Sequence, residues 1–186
     1  MQYADREMLL ERIANTCVVE GTFLVSHGVM EDNYLDLYQA ILCPTASPVL
    51  VDELYLRGKG GGADVVGGME VAGAVLGAQL AASFNGLHSF VARKQPKPYG
   101  LRYQVDGYHD KGSKVAIVED VLVSGNTTQK VIDVLEADCC EIVGIFPIVD
   151  RIGGGSDKFR AAGYHVDPLF TLQELFDVRK WESAQI

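Results

Sequence analysis

Across residues 5–17, Met8, Leu9, Ile13 and Cys17 recur at helical spacing and predict an amphipathic helix. The run from Gly21 through Phe23 to Gly28 is short, apolar and broken by glycine, so it predicts a strand and a turn. Residues 34–38 alternate apolar with polar and predict a second strand. Residues 44–56 predict a helix, with Ser47 as N-cap and Pro48 at its first position. A regular rhythm then begins. Residues 63–66 predict a buried strand, Gly67 and Gly68 a turn, residues 70–84 an Ala/Leu-rich helix, and residues 89–93 the next strand. Residues 94–112 hold few apolar side chains, two prolines and three glycines, and read as a long loop. A strand at 114–118, a helix at 125–137 and a long apolar strand at 141–149 follow. Gly153-Gly154-Gly155 predicts a turn, 157–162 a short helix and 166–170 a last strand. Thr171 caps a final helix that runs to about residue 181.

Strands that alternate with helices predict an α/β fold, with a mostly parallel central sheet flanked by helices. Residues 1–45 break the rhythm and are expected to form a small N-terminal hood over residues 46–186, all within a single domain of 186 residues. No apolar run reaches the roughly 20 residues that span a bilayer. The N-terminus lacks a basic segment followed by an apolar stretch, so a cytoplasmic protein with no membrane partner is expected. Its four cysteines make no CxxC pair and are expected to be reduced and structural.

The net charge of −9 argues against a nucleic-acid partner, which usually demands a basic face. Against that balance, Arg93, Lys94, Lys97 and Arg102 fall within ten residues of one another. They are four of only 16 Lys and Arg, and concentrated cations suit a small anionic ligand.

In open α/β sheets, ligands bind beyond the carboxyl ends of the strands. Three loops are placed there. In the first, an apolar strand ends in Glu119 and Asp120 and runs through Val121, Leu122, Val123, Ser124, Gly125, Asn126 and Thr127 into a helix. Free backbone N–H groups at that turn attract an anion, and the helix dipole adds to the attraction. Two carboxylates repel a bare phosphate but suit sugar hydroxyls, or a Mg²⁺ beside them. An acidic pair joined to a phosphate cradle reads a ribose 5-phosphate. The second loop, Gly67-Gly68-Met69-Glu70-Val71-Ala72-Gly73, admits either close backbone approach to a phosphate or tight helix packing. The third is the cationic stretch Arg93-Lys94-Gln95-Pro96-Lys97-Pro98-Tyr99-Gly100, which closes over a pyrophosphate or forms a solvated face.

Three such loops in this order resemble the type I phosphoribosyltransferases. The cationic loop, Asp150-Arg151, and Phe23 and Gly28 followed by Tyr34-Leu35-Asp36 resemble the orotate branch. The resemblance implies that phosphoribosyl pyrophosphate (PRPP) and orotate are the substrates, with Mg²⁺ carried by PRPP near Glu119 and Asp120. It implies that Glu119 and Asp120 hold the ribose hydroxyls and that Val121–Thr127 hold the 5-phosphate. Val71 and Ala72 would offer backbone groups to the pyrophosphate, with Arg93, Lys94 and Lys97 on the phosphates. Tyr34, Leu35, Val123 and Arg151 would contact the base, Arg151 by pairing with its carboxylate. Lys97, Tyr99 and Asp120 would be the catalytic residues. A lid over residues 97–110, with Gly100 and Gly107 as hinges, would be shared across a homodimer, Arg93 and Lys97 reaching the neighbouring subunit. The chain departs from the family pattern at Ser26, His27, Ala72, Tyr99 and Val123.

The reading that follows is phosphoribosyl transfer to orotate. Other readings of the same residues are transfer to a different base, a non-catalytic PRPP-binding regulator, and a nucleotide-salvage hydrolase. No Ser-His-Asp or Cys-His arrangement is visible to support the last.

Overall fold

The computed structural model describes residues 3–24, 30–96 and 104–183. The chain divides into two compact units, one of residues 1–50 with 170–186 and one of residues 51–169.

In the first unit, α1 (Tyr3–Thr16) leads into β1 (Val18–Leu24), which pairs antiparallel with β2 (Met30–Leu35). The expected strand at 34–38 is therefore displaced: it ends at Leu35, and Tyr38 opens the short helix α2 (Tyr38–Ile41). Of the positions that the helical spacing marked, Leu9, Ile13 and Cys17 are buried and Met8 is exposed; Leu37 and Ile41 are buried in the same unit. The helix α3 (Ser47–Gly60) runs from this unit into the second and extends four residues past its expected end.

The second unit holds β3 (Val65–Met69), α4 (Ala72–Ser83), β4 (His88–Ala92), β5 (Val105–Gly107), β6 (Lys114–Leu122), α5 (Asn126–Ala137), β7 (Glu141–Asp150) and α6 (Gly155–Ala161). Its strands lie in the order β5-β4-β3-β6-β7. The β3–β4, β3–β6 and β6–β7 pairs are parallel, and β4–β5 alone is antiparallel. This is the mostly parallel, helix-flanked α/β sheet that the rhythm predicts. Residues alternate across it: Val65, Val115, Ile117 and Ile145 pack with Val131, Ile132 and Leu135 of α5 and Phe159 of α6. Val66, Ala116 and Val118 face Leu54 of α3 and Leu80 of α4 on the other side.

Three expectations are corrected. Gly67 and Gly68 are not a turn but lie within β3, where every residue is buried. A Cβ on Gly67 would collide with the carbonyl oxygen of Phe90, and one on Gly68 with that of Val118. These glycines let neighbouring backbone close in on the strand, and the turn falls later, at Glu70 and Val71. The loop at 94–112 contains β5, whose Asp106 and Gly107 masked its strand character. The last strand shrinks to a bridge between Val166 and Ile145 and the two-residue β8 (Phe170–Thr171) in the first unit.

The closing helix α7 (Leu172–Ser183) is capped as expected. Thr171 N–H donates to Glu174 Oε2 at 2.7 Å, and Glu174 N–H donates to Thr171 Oγ1 at 3.2 Å, a capping box. Arg6 of α1 donates to Glu174 Oε1 at 2.9 Å, which ties the first helix to the last. Among the described residues, no helix is long and apolar enough to cross a membrane.

Candidate active site

The registers of the central strands open a crevice. β3 pairs with β6 only as far as Gly67 and Ile117. Beyond that point β3 follows β4 out to Met69 and Ala92, while β6 follows β7 out to Leu122 and Asp150. The carboxyl ends of four parallel strands thus bring together Glu70 and Val71, Arg93 and Lys94, Glu119 and Asp120, and Asp150 and Arg151. A crevice at such a position is where ligands bind in open α/β sheets.

Glu119 and Asp120 lie within β6, which runs four residues past its expected end. Strand alternation sends their side chains to opposite faces. Glu119 is buried, and Thr128 Oγ1 donates to its Oε2 at 2.8 Å. Burial pushes the Glu119 carboxyl up to about 7, the Thr128 hydroxyl opposes that rise, and the neighbouring Asp120 adds to it. Asp120 is half-buried and accepts the Val121 N–H at 2.9 Å. Burial raises its pKa too, opposed by its backbone hydrogen bonds and by the positive charge of Lys94.

Next comes the cradle. Gly125, at φ +72°, is the N-cap of α5 and makes no side-chain cap. A Cβ there would lie 2.5 Å from the Phe159 ring, so glycine is required by space as well as by conformation. A helix start without a side-chain cap leaves its first N–H groups for an anion. Asn126 and Thr127 are exposed at this end, whereas the Leu122 side chain is buried and has only its backbone to offer.

A second glycine loop buttresses the cradle. Gly155 N–H donates to Val123 O at 2.8 Å, and Arg151 N–H to Leu122 O at 2.9 Å. A Cβ on Gly153 would stand 2.7 Å from Val123 Cγ1, and one on Gly155 2.5 Å from Val123 O. The loop after β7 therefore lies backbone against backbone on residues 123–125 and fixes their course. The buried Asp150 carboxylate accepts Ile152 N–H at 2.9 Å and holds the start of that loop.

Across the crevice, Val71 is 62% exposed and Ala72 begins α4, again without a side-chain cap. Glu70 joins this turn to the cationic segment: its Oε1 accepts Lys94 N–H at 3.0 Å, and its Oε2 lies 3.7 Å from Arg93 Nη1. Arg93 Nε also donates to Asp106 Oδ2 at 2.7 Å, so its guanidinium is engaged by two carboxylates of its own chain. Lys94 is exposed. In the first unit, Tyr34 is half-exposed with its ring 5.7 Å from that of Phe23, and the Leu35 side chain is buried. Ser26, His27, Gly28, Lys97, Tyr99, Gly100 and Arg102 lie outside the described residues.

The sequence pointed to neither Thr128 nor the buttress at Gly153 and Gly155. Thr128 carried a faint signal. It occupies the apolar stripe of α5 with Val131, Ile132 and Leu135, and a hydroxyl on a buried stripe requires a partner.

The raised Glu119 carboxyl has a consequence for stability. Its folded pKa of about 7 lies above the ordinary 4.5, so folded protein keeps a proton that unfolded protein releases between those values. Stability present below pH 4.5 is lost as pH rises through 7. Glu119→Gln, which cannot ionise, is expected to stabilise the ligand-free protein by roughly 3 kcal/mol at pH 8 and negligibly at pH 4.5. Urea denaturation at the two pH values checks this, and an equal gain at both would rule out ionisation as the cause.

No family model matches the chain. Curated relatives do. The orotate phosphoribosyltransferase of Streptomyces avermitilis is 34% identical over 161 residues, covering 84% of this chain and 88% of that protein. The enzyme of the same name from Aquifex aeolicus is 31% identical over 161 residues, covering 84% and 87%. A crystal structure of Mycobacterium tuberculosis orotate phosphoribosyltransferase in complex with PRPP matches with a TM-score of 0.77 at 25% identity, covering 92% of this chain and 98% of that one. Likeness at this level extends over most of the chain in both sequence and fold, and it accompanies an acidic pair that leads into an uncapped helix start: the chain belongs to the orotate phosphoribosyltransferase family.

Proposed function

We propose that this protein transfers the 5-phosphoribosyl group of PRPP to orotate, forming orotidine 5′-phosphate and pyrophosphate in pyrimidine nucleotide synthesis. The observation that carries this reading is the join of Glu119 and Asp120 to the uncapped start of α5, facing Val71 across the opened β3–β6 seam. One substrate with ribose hydroxyls between two phosphate groups satisfies both sides. The 5-phosphate sits on the N–H groups around residues 124–127, and the carboxylates accept from the ribose hydroxyls. The pyrophosphate lies toward Val71, Ala72 and Lys94.

As the bond to pyrophosphate breaks, C1′ gains positive charge and the leaving group gains negative charge. The carboxylates favour the first, and the backbone N–H groups with Lys94 favour the second. Holding both substrates in line lowers the barrier further. Mg²⁺ fits the hard oxygen donors of Asp120 and Glu119. The ion would enter on PRPP, with Glu119 and Asp120 beside it. When bound, it neutralises pyrophosphate charge.

Arg151 pairs with the orotate carboxylate, and Val123 lies beside the base. Lys97 and Tyr99 have catalytic roles and serve the partner's site in a homodimer. The protein works in the cytoplasm as a single functional domain, its first 45 residues forming the hood. Names of the relatives favour orotate over another base.

The test mixes purified protein with Mg²⁺, PRPP and orotate, and follows orotate absorbance beside pyrophosphate release. Matching loss and release are expected. PRPP binding without turnover would move the assignment to another base, and failure to bind PRPP would overturn it.

A further inference from the structure

The Thr128 side chain is fully buried, and it stands on the first full turn of α5 behind the cradle rather than in it. A threonine inside a helix ordinarily returns its hydroxyl to the carbonyl four residues earlier. Here the hydroxyl reaches out of the helix to the sheet and donates to Glu119 Oε2 at 2.8 Å. Threonine is stiff at χ1, so a buried one holds its donor in a fixed direction. A carboxylate has two acceptor oxygens and rotates about its last bond when nothing fixes it. With Oε2 held from behind, the plane of the group is set and Oε1 is the oxygen left to accept from a ligand.

We propose that Thr128 is a positioning residue for PRPP: by holding Oε2 of Glu119 it presents Oε1 to the ribose hydroxyls. This rests on the proposed function, and it adds a residue that touches no substrate. It links the helix that carries the phosphate cradle to the strand that carries the acidic pair, so the two halves of the ribose 5-phosphate site keep their spacing. Valine at 128 would keep the shape and lose the donor. The buried Glu119 oxygen would then lack its partner, and the carboxyl would turn or keep its proton at neutral pH.

The test uses the full chain as wild type, Thr128→Val and Thr128→Ser. PRPP with Mg²⁺ is titrated by calorimetry, KM is measured for each substrate, and each variant is checked for cooperative melting. Thr128→Val is expected to weaken PRPP binding about tenfold, as the loss of a hydrogen bond to a charged group does. The KM for orotate should stay within about twofold, and Thr128→Ser, which keeps the donor, should remain within about threefold of wild type for PRPP. Should valine prevent folding, Thr128→Ala is judged by the same criteria.

A folded Thr128→Val protein that binds PRPP like wild type would overturn the proposal. So would Thr128→Ser weakened as much as Thr128→Val, because packing of the methyl group would then be the cause. Equal losses for PRPP and orotate would also overturn it, since they indicate general loosening. Wild type that binds PRPP but does not consume orotate would defeat the base assignment and leave Thr128 to be judged by calorimetry. Wild type that binds no PRPP would overturn both.

Discussion

Asp120→Asn is expected to lower kcat/KM for PRPP by on the order of a hundredfold, the range lost when hydrogen bonds to a charged group disappear from a transition state. The substitution hardly changes shape. Asparagine can still accept the Val121 N–H through its Oδ1, as the aspartate now does at 2.9 Å. Its amide then stands where the second carboxylate oxygen was, offering donors to hydroxyls that need acceptors. The lost negative charge matters more. Asp120 is half-buried, so its charge is weakly screened where C1′ becomes cationic; burial raises its pKa, and its backbone hydrogen bonds and the positive charge of Lys94 oppose that rise. Loss of charge therefore acts on the transition state more than on the bound substrate, and kcat should fall further than KM rises. Steady-state kinetics at saturating orotate read this directly. Unchanged constants would remove Asp120 from the ribose site.

Arg151→Ala is expected to raise the KM for orotate by on the order of tenfold to a hundredfold, the worth of a charge-assisted, bidentate contact, and to leave PRPP affinity within about twofold. The backbone supports a local effect. Arg151 is held by its N–H on Leu122 O at 2.9 Å, a bond that alanine keeps, so the cradle is not disturbed. The neighbouring Asp150 carboxylate accepts from Ile152 N–H whatever the side chain at 151. Uracil, which lacks the carboxylate, supplies the control. Wild type should prefer orotate strongly, and the variant should lose that preference. A variant that still discriminates between the two bases would place recognition of the carboxylate elsewhere.

Part of this site was legible in the string of residues because its signals are local. Glu119-Asp120 at the end of an apolar run, followed by small polar residues and a helix, states acidic pair and anion cradle within nine positions. Backbone N–H groups at a helix start need no distant partner to attract a phosphate. The glycines at 67 and 68 were harder to read. A glycine pair signals either a turn or close packing, and the choice depends on Phe90 and Val118, which approach from β4 and β6. The partners of Arg93 within the chain were also hidden: Glu70 and Asp106 engage it, the second across a strand pairing that the composition of residues 104–108 concealed.

By itself the sequence determined the α/β class, the order of most elements and the acidic-pair loop, since periodicity and turn chemistry act between near neighbours. Tertiary structure alone decided how far the strands run, where the β3–β6 seam opens, which side of the cradle Gly153 and Gly155 press against, and that Thr128 faces Glu119. Each of these depends on contacts between residues far apart in the chain, or on which face a residue turns inward. Only the folded backbone fixes such contacts.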